Sequence, residues 1–449
     1  MHFTLVDVLM DFAKISMLLI AGSFLRRKIK LFQYYYIPVA LIAGVLGLLL
    51  GKEVLGSVSP YYLGYSPAIR QFAGISSAIV FSCSFLGVKL AKMEKSAFQT
   101  YFLAGSIHQM QVIVGLTLAF IFAMFNSDFP VGFGIFPVLG FYGGHPIAIA
   151  AGTIFDDAGY MTTGSQVGAT FSTIGLIIGV VAGMILINKA AAKGITAVAM
   201  RREDMPKSLL TGYYKPDERP EMCKQATFAP SLDPLASQVM LVGFVVCCGY
   251  IIRMGLIRID KFFTHLPLFA CCLIFGVIFC LCTQKNEMIQ GMIDRATVIR
   301  ISGTSIEYMI ASSIAITSIS VFTTYAVPIV VMSVVIALGT YWMVFKMGKK
   351  MLSQDGGFET ELGLFGQCCA MLSIGLLLLK VVDPDYKTPA VANITTSCTL
   401  GYTYQLQYTL ILIVLLMTSP VFVYLWSWLL FLILFGCGLY FGKKWNKTA

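Results

Sequence analysis

The stretch from Gly140 to Pro146 reads Gly-Phe-Tyr-Gly-Gly-His-Pro and lies within an apolar run. Gly143 and Gly144 allow backbone conformations closed to other residues, and Pro146 suits the first turn of a helix. A helix starting there would aim free N–H groups and a partial positive charge at an anion. His145 could donate a hydrogen bond or carry a proton; a kinked packing helix with a satisfied histidine is the other reading. A second stretch, Gly366-Gln367-Cys368-Cys369, offers the Gln367 amide and is closed by Asp383-Pro384-Asp385-Tyr386. With Asn393 and Thr396 from the following helix, the ligand-binding candidates are Gly143, Gly144, His145, Gln367, Asn393 and Thr396.

A second set of residues has the chemistry of an alkali-cation site. Hydroxyl and carboxyl oxygens beside unwound carbonyls are what sodium requires, and Thr170, Thr173, Asp157, Asp383 and Thr399 flank the two stretches. Serine and threonine serve equally as small packing residues in membrane helices, and both readings stay open. Glu307 closes the segment Ser302 to Glu307 inside another apolar run. A carboxylate at membrane depth is costly and marks a functional site by default; with Arg300 two turns away, it could also sit near a helix end and reach water. It joins the cation candidates. No other metal and no organic cofactor is expected.

The elements that must position these residues follow from composition. Of 449 residues, 57% are hydrophobic and 12% charged, with a mean hydropathy of +0.81. Soluble domains carry roughly twice that share of charge, so this chain needs lipid as its solvent. Apolar runs of about 20 residues select helices over barrel strands. The expected fold is an all-α membrane protein. The net charge of +10 comes from short basic clusters between apolar runs, which fits loops and gives no footprint for nucleic acid. The twelve cysteines lie mostly in apolar runs, without a CxxC pair, and read as small packing residues. Neither HExxH nor Gly-x-Ser-x-Gly occurs, so no enzyme is expected.

Spans are expected near 4–25, 37–51, 70–90, 97–125, 165–188, 234–253, 264–282, 301–321, 324–345, 391–413 and 420–441. Tyr34-Tyr35-Tyr36 would anchor the short second span at the interface. Segments 131–156 and 361–381 are richer in glycine and are expected as broken or re-entrant hairpins. Asp7, Asp11 and Lys14 predict a retained first helix, not a cleaved signal, with a local i, i+3 arrangement. With the N-terminus outside, only Lys52, Arg70, Arg253, Arg258 and Lys261 fall on the outer side; Lys14 lies within a span. The remaining basic residues face the cytoplasm. Residues 190–233, rich in proline and in charges of both signs, are the expected cytoplasmic linker between halves 1–189 and 234–449.

The two hairpin regions align at one constant offset. Gly140 falls on Gly366, Asp157 on Asp383, Tyr160 on Tyr386, Thr162 on Thr388, Thr170 on Thr396, Thr173 on Thr399 and Gly175 on Gly401. Chance matching among common membrane residues is the bland alternative. By the span order, the first hairpin enters from outside and the second from the cytoplasm. The expectation is therefore two inverted repeats of about five transmembrane helices, each with a hairpin, plus an extra C-terminal helix. Such repeats place cargo sites near the midplane.

Gly143-Gly144-His145, followed by Gly168-Ala169-Thr170-Phe171 and a glycine-spaced helix, resembles the bacterial sodium/glutamate symporters. Tyr36-Ile37-Pro38 before a glycine-containing second helix, and a central loop dividing the chain, match the same order of features. Two departures stand out. Pro146 follows Gly-Gly-His where the family has glycine. The family's glycine-rich Gly-His-Cys-Gly-Phe-Gly is replaced by Gly366-Gln367-Cys368-Cys369-Ala370-Met371-Leu372. The resemblance implies sodium-coupled symport of glutamate or a related small organic anion by alternating access, in a bacterial plasma membrane. One domain would move its hairpins past a scaffold. No arginine occurs in either hairpin, so a carboxylate would be held by helix N-termini, hydroxyls and His145. The altered second hairpin motivates the alternative, a transport-inactive relative acting as a membrane sensor or complex subunit. Oligomeric state, a homodimer included, stays open.

Overall fold

The computed structural model describes residues 4–34, 37–88, 94–193, 195, 230–259, 268–317, 319–352, 357–383 and 388–445. Most of the linker, Tyr35 and Tyr36, Lys89, Lys92, Lys261 and the Pro384 to Tyr386 loop lie outside these residues. Among the described residues the main helices, short turns of helix between them apart, are in order α1 (Leu5–Lys28), α2 (Val39–Leu50), α3 (Gln71–Cys83), α4 (Lys95–Phe125), α5 (Phe136–Phe141), α6 (Gly144–Asp157), α7 (Gly164–Ala192), α8 (Pro234–Ile259), α9 (Leu268–Thr283), α10 (Arg295–Ala315), α11 (Ile319–Trp342), α12 (Gly357–Cys369), α13 (Leu372–Val382), α14 (Ala390–Leu410) and α15 (Pro420–Trp445). No strand occurs among them.

Every expected span overlaps a helix, but seven described helices are long and apolar enough to cross a bilayer by themselves. They cover Leu5–Lys28, Val39–Val58, Lys95–Phe125, Gly164–Ala190, Pro234–Ile259, Thr324–Met351 and Pro420–Trp445. The others have identifiable reasons to fall short. Helix α3 stops at Cys83, well before the expected end near residue 90. The Arg295 guanidinium donates to the carbonyls of Cys83 (2.6 Å), Leu86 (2.9 Å) and Ser84 (3.3 Å). Those donors replace the helical N–H groups that would otherwise have to follow. Helix α9 has 16 residues, α10 carries Arg295, Arg300 and Glu307, and α14 is rich in hydroxyls and amides.

The chain divides into two compact units, each drawing on both halves of the sequence. The first holds α1, α2, α3, α8, α9 and α10. Thr4 and Asp7 form a reciprocal cap on α1, so Asp7 serves the helix end. Asp11 is fully buried; it pairs with Lys14 at 3.4 Å and accepts the Ser66 N–H and hydroxyl. Gly44 of α2 lies so close to α10 that a Cβ there would meet Ile314 Cβ at 2.6 Å, the close approach that small residues give membrane helices.

The second unit holds α4–α7 and α11–α15. Within it, α4 packs against α11, α14 and α15. Helices α6 and α7 approach closely through small residues, Gly152 facing Gly164 and Gly168 facing Ala148. Helix α11 bends at Tyr325, whose φ of −116° and ψ of 15° leave the helical range. Pro328, three residues on, lacks an N–H and its ring crowds the preceding turn, which forces that bend.

Candidate functional site

Both glycine-marked segments are broken helices, and the breaks meet inside the second unit. The first break lies between α5 and α6, at Tyr142–Gly143. The second lies at Ala370–Met371, just after the Gly366 to Cys369 stretch, so Gln367 sits in the last turn of α12. Gly144 has a φ of +71°, a conformation that excludes ordinary L-residues. Its Cα faces the second break: a Cβ there would lie 2.7 Å from Met371 Cε and 3.1 Å from the Ala370 carbonyl oxygen. The Cys369 carbonyl in turn lies against Gly175 of α7.

Polar side chains surround this junction in an apolar setting. Gln111 of α4, fully buried, donates to Thr340 Oγ1 (2.8 Å) and to the Cys368 carbonyl (2.9 Å). Gln367 Nε2 donates to the Tyr142 hydroxyl at 3.3 Å, which shares a 2.6 Å hydrogen bond with Tyr404. His145 Nε2 is 3.1 Å from Thr173 Oγ1. The His108 ring lies amid Tyr142, Tyr404 and Tyr408, with centroids 5.1–5.3 Å away. Gln109 accepts from the Tyr408 hydroxyl at 2.5 Å.

Several of these groups are left with unused hydrogen-bonding capacity. His108 Nδ1 and Nε2, Gln109 Nε2, Gln111 Oε1, His145 Nδ1, Gln367 Oε1 and Ser397 Oγ are buried and have no protein partner among the described residues. A buried polar atom without a partner costs about 1–3 kcal/mol. So many in one unit mark a place where something else completes the bonding.

The other expected residues are placed as follows. Thr170 and Thr399 donate to carbonyls one turn back in their own helices, at 2.9 Å each, a bond a packing hydroxyl makes. Asn393 is buried and accepts from Ser96 Oγ at 2.8 Å; Thr396 is half-buried on α14. Asp157 is exposed at the end of α6. Its neighbour Asp156 does the structural work instead, accepting the N–H groups of Gly164 (2.5 Å) and Ser165 (2.9 Å) at the start of α7. Asp383 acts similarly before α14, accepting the Thr388 N–H (2.8 Å) and hydroxyl (2.6 Å). Glu307 belongs to the first unit, where its carboxylate lies near the backbone N–H of Ala40 at the start of α2 and feels the Arg26 charge. The structure thus gathers Gly143, Gly144, His145, Thr173 and Gln367, and leaves Asp157 at the far end of α6, while Glu307 belongs to the other unit.

His108, Gln109 and Gln111 are not among the residues expected from the sequence. Their signal was available: an imidazole and two amides within one turn of an apolar span are as conspicuous as Glu307. Tyr142, expected only as part of the glycine turn, joins them through its hydrogen bonds to Gln367 and Tyr404.

A search among curated proteins returns no match to the chain. A family model described as sodium/glutamate symporter matches residues 4–352, which takes in the first hairpin and stops before the second. That match spans most of the 449 residues, and the chain belongs to the sodium/glutamate symporter family.

Proposed function

We propose that this protein is a sodium-coupled symporter for glutamate or a closely related small organic anion, working by alternating access in a bacterial plasma membrane. The observation that carries this reading is the meeting of two helix breaks among buried polar groups with unused hydrogen bonds. Broken backbone at membrane depth is tolerated only where protein buries it or a cavity needs it. Family membership favours transport over the inactive, sensor-like alternative.

The donors at the junction are neutral: amides, imidazoles, phenols and the first N–H groups of α6. An anion held only by neutral donors keeps most of its charge. Sodium bound nearby would offset it, and the Cys369 and Ala370 carbonyls at the second break, with Thr173 close to His145, supply oxygen ligands of the kind sodium uses. The two halves, 1–189 and 234–449 joined by the linker 190–233, read as inverted repeats. Their equivalent breaks and the tethering carboxylates Asp156 and Asp383 support that reading, as does the mixing of both halves in each compact unit. The last helix, α15, would be an addition to the repeat.

The test is uptake of labelled glutamate into proteoliposomes with and without an inward sodium gradient. Accumulation above equilibrium that requires sodium is expected. Uptake that merely equilibrates, or proceeds equally in potassium, would overturn the coupling. A set of dicarboxylates and neutral amino acids run in competition identifies the cargo.

A further inference from the structure

The unit that carries the hairpins has a second polar feature, two helical turns back along α12 from its break. A cavity of about 480 Å³ opens where the ends of α7 and α11 meet the start of α12, walled by Leu186, Phe345 and Phe358. Its charges are Lys346, Lys349 and Glu361. Glu361 is 7% exposed. Its carboxylate accepts no hydrogen bond and forms no ion pair among the described residues, although the charge of Lys349 reaches it. Glycine at 348 makes room for it, because a Cβ there would stand 3.1 Å from Oε1. Lys346 and Lys349 are exposed at the rim. The preceding helix widens into a π turn over Met343–Met347, an irregularity often found at functional sites.

A carboxylate buried without a partner is expensive, and a simple anion drawn in by the two lysines would be repelled by it. The pattern calls for a ligand with opposite charges a few bonds apart. A primary ammonium donates to up to three acceptors and fits the deep carboxylate, while phosphate oxygens accept from the two rim lysines. The exposed Tyr341 and Trp342, followed by Lys346, Lys349 and Lys350, are the residues of a membrane–water interface. The cavity therefore lies at head-group level, and its apolar wall offers a bed for hydrocarbon. We propose that this cavity binds an aminoalkyl phosphate, either the head group of an ethanolamine phospholipid or its free counterpart.

The experiment uses the full-length protein purified from a bilayer of mixed ethanolamine, choline and glycerol phospholipids, with retained lipid counted by native mass spectrometry. In parallel, its melting temperature is followed with O-phosphoethanolamine. Ethanolamine lipid should be retained over both others, since a trimethylated ammonium cannot donate to Glu361. Glu361→Gln should lower that retention by about tenfold, equivalent to about 1.4 kcal/mol. Lys349→Gln should weaken it as well and Lys349→Arg preserve it. Stabilisation by O-phosphoethanolamine without lipid retention, abolished in Glu361→Gln, assigns the free form. The proposal is overturned if choline lipid is held as well as ethanolamine lipid, or if Glu361→Gln matches the wild type in both assays. Should Glu361→Gln fail to fold, the lipid ranking of the wild type and of the exposed Lys349 variants decides the matter.

Discussion

Replacing Gly144 by alanine tests the junction most directly. At a φ of +71° an L-residue costs roughly 1–2 kcal/mol more than glycine. The added Cβ would also lie 2.7 Å from Met371 Cε and 3.1 Å from the Ala370 carbonyl oxygen. The methionine methyl is the end of a flexible chain and can turn aside. The carbonyl is backbone and must give by a few tenths of an ångström, which shifts the second break. The total is on the order of 2–3 kcal/mol, or roughly 30- to 150-fold in any equilibrium that needs the breaks in place. Gly159 supplies the control, with a φ of +69° and nothing within 4 Å of its hypothetical Cβ. Gly159→Ala carries the backbone strain without the contact. Both variants should melt slightly below the wild type in detergent, and only Gly144→Ala should lose tenfold or more of its uptake into proteoliposomes. If Gly144→Ala transports as well as Gly159→Ala, the contact between the breaks plays no part in the site.

Gln111→Leu should destabilise the protein by about 1–3 kcal/mol, because the Cys368 carbonyl and Thr340 hydroxyl lose a buried donor; a melting curve equal to the wild type would show that water replaces the amide. Asp156→Asn should lower the melting temperature through a weakened cap worth about 0.5–2 kcal/mol, whereas Asp157→Asn, exposed at the helix end, should leave both melting and the sodium dependence of uptake unchanged. Thr173→Val frees His145 Nε2, so a double-mutant cycle with His145→Ala separates two roles. If His145 contacts cargo, His145→Ala should reduce apparent affinity by a similar factor in both backgrounds; an effect confined to the Thr173 background makes it a packing residue.

Much of the helical layout was legible because lipid imposes it. An apolar run long enough to cross a bilayer has few alternatives to a helix, and each expected span overlaps one. What sequence patterns could not convey was where helices end for tertiary reasons. Helix α3 stops at Cys83 because a guanidinium more than two hundred residues later occupies its carbonyls, and no local signal encodes that. The site was half legible. Gly-Gly-His marked the first break through backbone chemistry that only glycine permits, and Gln367 stood close to the second. The contribution of α4 escaped because averaged hydropathy hides a few polar side chains in a long span. Asp157 drew attention through its alignment with Asp383, yet its neighbour Asp156 faces inward. A helix end moves each successive side chain by about 100°, so adjacent carboxylates can have opposite fates.

The mixing of both sequence halves within each compact unit bears on how the protein is made. Gln111 and Thr340 are 229 residues apart; at about 5–20 residues per second, synthesis needs roughly 10–45 s to bring the partner into existence. Until then the amide face of α4 stands in the bilayer without the partners that the second half supplies, Thr340, Cys368 and Tyr408. A ribosome that stalls in the linker leaves a fragment holding pieces of two units and the whole of neither. The second half must therefore find a first half that has waited in the membrane, and each polar group that waits is a handle by which quality-control proteases can recognise an unfinished chain.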